Sequence, residues 1–94
     1  MTHIPRVTLY HATDCSLCAR AVEVAEAVRD ELGFELALVD IGGVPELEAR
    51  YRELLPAIEV DGELAFTYFV DAEALRTRAR AVPPASPEGR QAES

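Results

Sequence analysis

The residues whose type and spacing carry chemistry are Cys15-Ser16-Leu17-Cys18. Two thiols three residues apart face each other if the segment is helical, closely enough for their sulfurs to close a disulfide. Cys15 falls at the mouth of the helix that the following residues predict. There, free backbone N–H groups and the positive end of the dipole favour a thiolate. Cys18 lies on the apolar stripe of the same helix, which makes it the more buried of the two. The pair therefore divides its work: Cys15 attacks a substrate disulfide and Cys18 resolves the mixed disulfide that results. Asp14 opposes this by setting a carboxylate beside Cys15, and Arg20, about one turn further on, is a cation that could offset it.

Other chemistry-bearing residues are weighed against ordinary structural roles. His11 could titrate near Cys15, but a loop histidine without a role is the expected reading. Arg50 and Arg52 could meet a substrate carboxylate, yet read as solvated surface arginines. Gly42-Gly43 is a loop, since no phosphate-binding or dinucleotide fingerprint surrounds it. Tyr51 and Phe69 are assigned to the core. Zinc needs four ligands; Cys15 and Cys18 with His3 and His11 would supply them, but at a spacing that matches no common zinc pattern, so no metal site is assigned.

These groups must be positioned by regular elements. Arg6–Tyr10 alternates and is rich in β-formers, which predicts a strand. A loop follows, with Thr13 and Asp14 as N-cap candidates. Cys18, Val22, Ala25, Val28 and Leu32 line one face of a helix over 15–32, with Gly33 placed to end it. Phe34–Val39 is apolar on both faces, as expected of a strand buried on both sides. Pro45 opens a short helix that runs to about Leu55. Ala57–Val60 and Leu64–Phe69 flank Asp61-Gly62 as a hairpin. Asp71 caps a last helix, with Val70 and Leu75 spaced as a hydrophobic staple. The order is β-α-β-α-β-β-α, an α/β fold. The first two strands are parallel through a right-handed crossover and the last two antiparallel, in a four-stranded mixed sheet with helices on both faces.

The 94 residues allow one domain: residues 1–82, followed by a flexible C-terminal tail over 83–94 that begins at Pro83-Pro84. Half the chain (49%) is apolar, enough for a core. Nine arginines and no lysine stand against seventeen acidic residues, a net charge of −8. That balance excludes nucleic acid and anionic membrane as main partners, because both are polyanions. No apolar run reaches the ~18 residues of a spanning helix, and residues 1–10 lack the regions of a secretory signal. The chain reads as a soluble, cytoplasmic monomer.

The cysteine pair after the first strand, Leu55-Pro56 before the third, and the element order resemble the thioredoxin superfamily over Arg6 to Ala81, more closely its glutaredoxin-like branch. Val39-Asp40-Ile41, the run over 45–51 and the run over 55–63 are also similar to small glutaredoxin-like proteins. The resemblance implies a cis peptide at Pro56 facing the cysteines. It also implies a substrate hydrogen-bonded by the backbone of Leu55, and a further backbone contact from Val70 or Asp71.

Departures from the family pattern bear on substrate. Asp14 stands where thioredoxins carry an aromatic residue, and Ser16-Leu17 replaces the Pro-Tyr of glutaredoxins. His11 and Ala12 stand where many glutaredoxins carry a basic residue. Phe69-Val70-Asp71-Ala72 replaces the glycine pair and acidic run that hold the γ-glutamyl end of glutathione.

The expected function is a thiol–disulfide oxidoreductase reducing protein or glutathione mixed disulfides. Cys15 and Cys18 are catalytic, and Leu55, Pro56, Val70 and Asp71 bind substrate. No cofactor is held, and glutathione stays open as a co-substrate. The alternatives are a non-enzymatic glutathione- or partner-binding scaffold with idle cysteines, or a metal or bridged iron–sulfur site.

Overall fold

The computed structural model of the chain describes residues 4–80; His3 and the proposed tail over 83–94 lie outside them. The elements are β1 (Arg6–His11), α1 (Ser16–Leu32), β2 (Glu35–Asp40), α2 (Pro45–Tyr51), a 3₁₀ turn (Arg52–Leu54), β3 (Ala57–Val60), β4 (Glu63–Thr67) and α3 (Ala72–Arg80). The sheet order is β2-β1-β3-β4, with β1 parallel to β2 and antiparallel to β3, and β3 antiparallel to β4. The predicted α/β fold, a four-stranded mixed sheet layered with helices, is the one observed.

Alternation along the two central strands builds both layers. Val7, Leu9, Ile58 and Val60 are fully buried against Ala21, Ala25 and Val28 of α1 and Leu75 and Ala79 of α3. On the opposite face, Tyr10 of β1 and Ala57 of β3 meet Tyr51 of α2 in a second cluster with Ala12, Cys18, Ile41 and Leu55. At the surface, Arg76 of α3 donates from Nε and Nη2 to the two carboxylate oxygens of Glu31 on α1, at 2.7 and 2.8 Å.

Local signals set the boundaries. Gly33 takes the left-handed conformation (φ 79°) and its N–H closes α1 on the Arg29 carbonyl at 2.7 Å. Asp61 and Gly62, both at positive φ, form the tight turn whose twist suits the strands they join. Asp71 caps α3 as expected, Oδ2 accepting the Ala74 N–H at 3.1 Å. Val70 packs beside Leu75 in the α1–α3 cluster.

Four expectations are corrected. First, β2 is not buried on both faces: it lies at the edge of the sheet formed by the described residues, none of its residues is buried, and Leu38 is 43% exposed. Second, the first helix begins at Ser16 with Cys15 as its N-cap residue, so neither Thr13 nor Asp14 caps it. Third, the second helix ends at Tyr51 and tightens into the 3₁₀ turn rather than running on to Leu55. Fourth, β4 stops at Thr67 because Tyr68 adopts a left-handed backbone (φ 69°). The chain turns there, and Phe69, expected in the core, is 73% exposed.

Candidate active site

Cys15 ends the loop between β1 and α1. Its backbone is extended (φ −110°, ψ 106°), its N–H donates to the Ala12 carbonyl at 3.3 Å, and its own carbonyl accepts the Cys18 N–H at 3.2 Å. No side chain caps the first turn of α1, and that turn carries no acidic residue. Free N–H groups and the positive helix end are thus presented beside Cys15. Cys15 and Cys18 are joined as a disulfide, with their Cα atoms 5.3 Å apart. Cys18 is buried and Cys15 half-buried, as the apolar stripe predicts.

The floor of the site is the cluster of Ala12, Cys18, Ile41, Tyr51, Leu55 and Ala57, with Cys15 packed on its flank. The Leu55–Pro56 peptide is cis, and both residues are buried. Tyr68 secures this segment from two sides. Its N–H donates to the Pro56 carbonyl at 3.0 Å, and its hydroxyl donates to the Glu53 carbonyl at 2.9 Å. Nothing in the sequence isolates Tyr68, because it sits in a run of strand-forming residues.

Val70 and Asp71 come after Phe69, but their side chains are engaged in the α1–α3 cluster and in the α3 cap. His11 is the last residue of β1, and its carbonyl accepts the Ile41 N–H at 2.9 Å. Among the described residues no three His, Cys, Asp or Glu side chains gather as metal ligands.

Two tyrosines and a glutamate lie under the same cluster. The rings of Tyr10 and Tyr51 stack at 3.9 Å, 11° from parallel. Tyr51 donates its hydroxyl to Glu59 Oε2 at 2.6 Å and Tyr10 to Oε1 at 3.4 Å. Sequence reasoning placed Tyr51 in the core correctly but missed Glu59. The available signal was its place between Ile58 and Val60, on the face shared with Ala57. Burial, and then the bond to Glu59, push the Tyr51 phenol well above its usual range near 10.

Because this folded-state value lies above the unfolded one, the contribution of Tyr51 to stability is complete below about pH 10 and is lost as pH rises toward the folded value. Urea midpoints should therefore fall as pH rises above about 10, and Tyr51→Phe should flatten that fall. Equal slopes in the two proteins would contradict it.

The charges around Cys15 differ from expectation. Arg20 points to Glu23 at 3.7 Å, exposed, and does not answer Asp14. Arg52, expected to be solvated, does. Its Nη1 donates to Asp14 Oδ1 and its Nη2 to Glu48 Oε1, each at 3.0 Å. The guanidinium of Arg50 rests 5.6 Å above the Tyr51 ring.

Comparison with known families settles the lineage. Residues 6–79 match the family model described as a glutaredoxin-like domain (DUF836). The chain belongs to this glutaredoxin-like family. An uncharacterized protein of Mycobacterium tuberculosis is 31% identical over 77 residues, covering 77% of this chain and 79% of the relative. The X-ray structure of a structural-genomics target from X. campestris is 30% identical, covers 82% of this chain and 99% of that one, and superposes with a TM-score of 0.69. Thioredoxin from Fasciola hepatica shares the fold, with a TM-score of 0.58 at 21% identity over 82% of this chain and 79% of its own. A glutaredoxin-like domain with this cysteine pair has the form of a thiol–disulfide oxidoreductase.

Proposed function

We propose that this glutaredoxin-like domain reduces polypeptide disulfides through Cys15 and Cys18. The observation that carries the reading is their asymmetry: one half-buried sulfur at a helix N-terminus is bonded to a buried sulfur one turn on, beside Leu55–Pro56.

In the dithiol form the Cys15 thiolate attacks one sulfur of the substrate disulfide. A Cys15–substrate bond forms, and the other substrate sulfur leaves as a thiolate that takes up a proton. Cys18 then loses its proton and attacks Cys15 Sγ. The intramolecular disulfide closes, the second substrate sulfur leaves, and two electrons have passed to the substrate. A thiol reductant must return them. Leu55 presents its backbone to the substrate, joined by Val70 or Asp71, while Pro56, its carbonyl held by the Tyr68 N–H, fixes the segment in place. A compartment that keeps thiols reduced, the cytoplasm, suits this cycle.

Polypeptide rather than glutathione is favoured by charge. Arg52 is engaged by two carboxylates, and the chain's net charge of −8 does not attract anionic glutathione. The exposed ring of Phe69 beside Val70 offers an apolar contact instead.

Redox titration in glutathione buffers, with alkylation and intact mass as the readout, tests the reading. Both thiols should disappear together between about −270 and −180 mV, the span of known dithiol carriers. A stable glutathione adduct on Cys15 would turn the substrate assignment toward glutathione. Thiols that stay free throughout would remove the redox reading.

A further inference from the structure

We propose that Arg52 is a positioning residue for the redox pair: it neutralises the Asp14 carboxylate next to Cys15 and ties the loop carrying both residues to the 3₁₀ turn that follows α2. The inference rests on the reading of Cys15 as the attacking thiolate.

Two fields act on Cys15 with opposite sign. The first turn of α1 favours a thiolate, whereas a carboxylate on the adjacent residue disfavours it. Which prevails depends on where the Asp14 carboxylate points and what meets it. It does not fold back to cap α1. It turns to the α2–3₁₀ segment, where one guanidinium spans Asp14 and Glu48 with two separate nitrogens, each contact 3.0 Å. The planar fork of arginine suits this double engagement.

Glu48 is itself anchored, its Oε2 accepting the Gly43 N–H at 3.2 Å. Its carboxyl is held below the usual carboxylate range, first by Arg52 and then by Gly43. The line Gly43–Glu48–Arg52–Asp14 therefore braces the approach to Cys15 from the loop after β2.

Other charged or titratable groups on these elements have partners of their own or lie apart from Asp14, and Asp40 at the end of β2 accepts the Gly42 N–H at 2.8 Å. Arg20 on α1 pairs with Glu23, Asp71 caps α3, and Arg50 lies on the Tyr51 ring. The Tyr51 and Tyr10 hydroxyls are turned to Glu59. Glu53 on the 3₁₀ turn adds negative charge, and His11 sits half-buried at the end of β1.

The test is a thiolate titration of Cys15 in a Cys18→Ser background, read by absorbance near 240 nm and by the pH dependence of alkylation. Arg52→Gln should raise the midpoint by roughly half a unit to one unit, reducing thiolate at neutral pH by about three- to tenfold. Arg52→Lys should retain most of the original midpoint. Asp14→Asn, which frees Arg52, should lower it. The double variant Asp14→Asn/Arg52→Gln should return close to the starting value. All shifts should shrink in ~1 M salt, where screening acts over about 3 Å.

An unmoved midpoint in a folded Arg52→Gln protein would overturn the proposal, as would the same rise with Asp14 absent. If Arg52→Gln does not fold, Asp14→Asn decides, and an unchanged midpoint there overturns it. The titration needs no substrate. Failure of the parent protein to exchange disulfides would sink the proposed function alone, and a flat titration in an active protein would sink the role of Arg52 alone.

Discussion

Cys15→Ser should abolish disulfide exchange, whereas Cys18→Ser should leave the first half of the reaction intact and stall it. The asymmetry follows from burial. Cys15 is reached from solvent and lies at the N-terminus of α1, so it alone can meet a substrate sulfur. Cys18 is 3% exposed, packed with Ile41, Tyr51 and Leu55, and reaches only Cys15. With serine at 15 no mixed disulfide forms, and exchange falls to the uncatalysed rate. With serine at 18 the Cys15–substrate bond has no internal attacker, so it accumulates and is visible as a covalent adduct by intact mass. Full exchange by the Cys15→Ser protein, or stalling at Cys18 rather than Cys15, would reverse the assignment.

Leu9→Ala should cost about 2–5 kcal/mol, the range for a fully buried leucine truncated in a core that cannot close over the gap. Leu9 lies on β1, one of the two central strands, opposite Leu38 of β2 and Ile58 of β3, with no exposure. It belongs to the cluster that joins the sheet to α1 and α3. Strands on both sides fix its backbone, so relaxation into the cavity is limited. Set against the ~5–15 kcal/mol of total stability usual for a domain, the loss is severe. A urea denaturation series checks it. A change below about 1 kcal/mol would mean that the site collapses or that the core is packed otherwise.

What was legible in the sequence was local. The element order came from apolar periodicity, and Gly33, Asp61-Gly62 and Asp71 marked ends and turns because each acts on its own neighbours. The cysteine pair was legible for the same reason, as two residues one helical turn apart. What was not legible depended on partners distant in the chain. Apolar residues on both faces of β2 do not say whether another strand lies beyond it. Thr13 and Asp14 have the chemistry of helix caps, but Arg52, 38 residues away, draws the Asp14 carboxylate elsewhere. Phe69 follows the strand pattern, and only the left-handed turn at Tyr68, held by Pro56 and Glu53, sends it outward.

The strand order also orders events in time. β3 and β4 are joined by a two-residue turn, whereas β1 meets β3 across roughly fifty intervening residues, a contact that cannot form until a long loop has closed. The hairpin and the first turn of α1 are the parts whose contacts close the shortest loops. Cys15 and Cys18, separated by only two residues, meet without closing a long loop, whereas Leu55–Pro56 reaches them from far along the chain. Their sulfurs can bond in a chain that has no tertiary structure. The bond spans no strand, and none of the sheet's pairings runs through it.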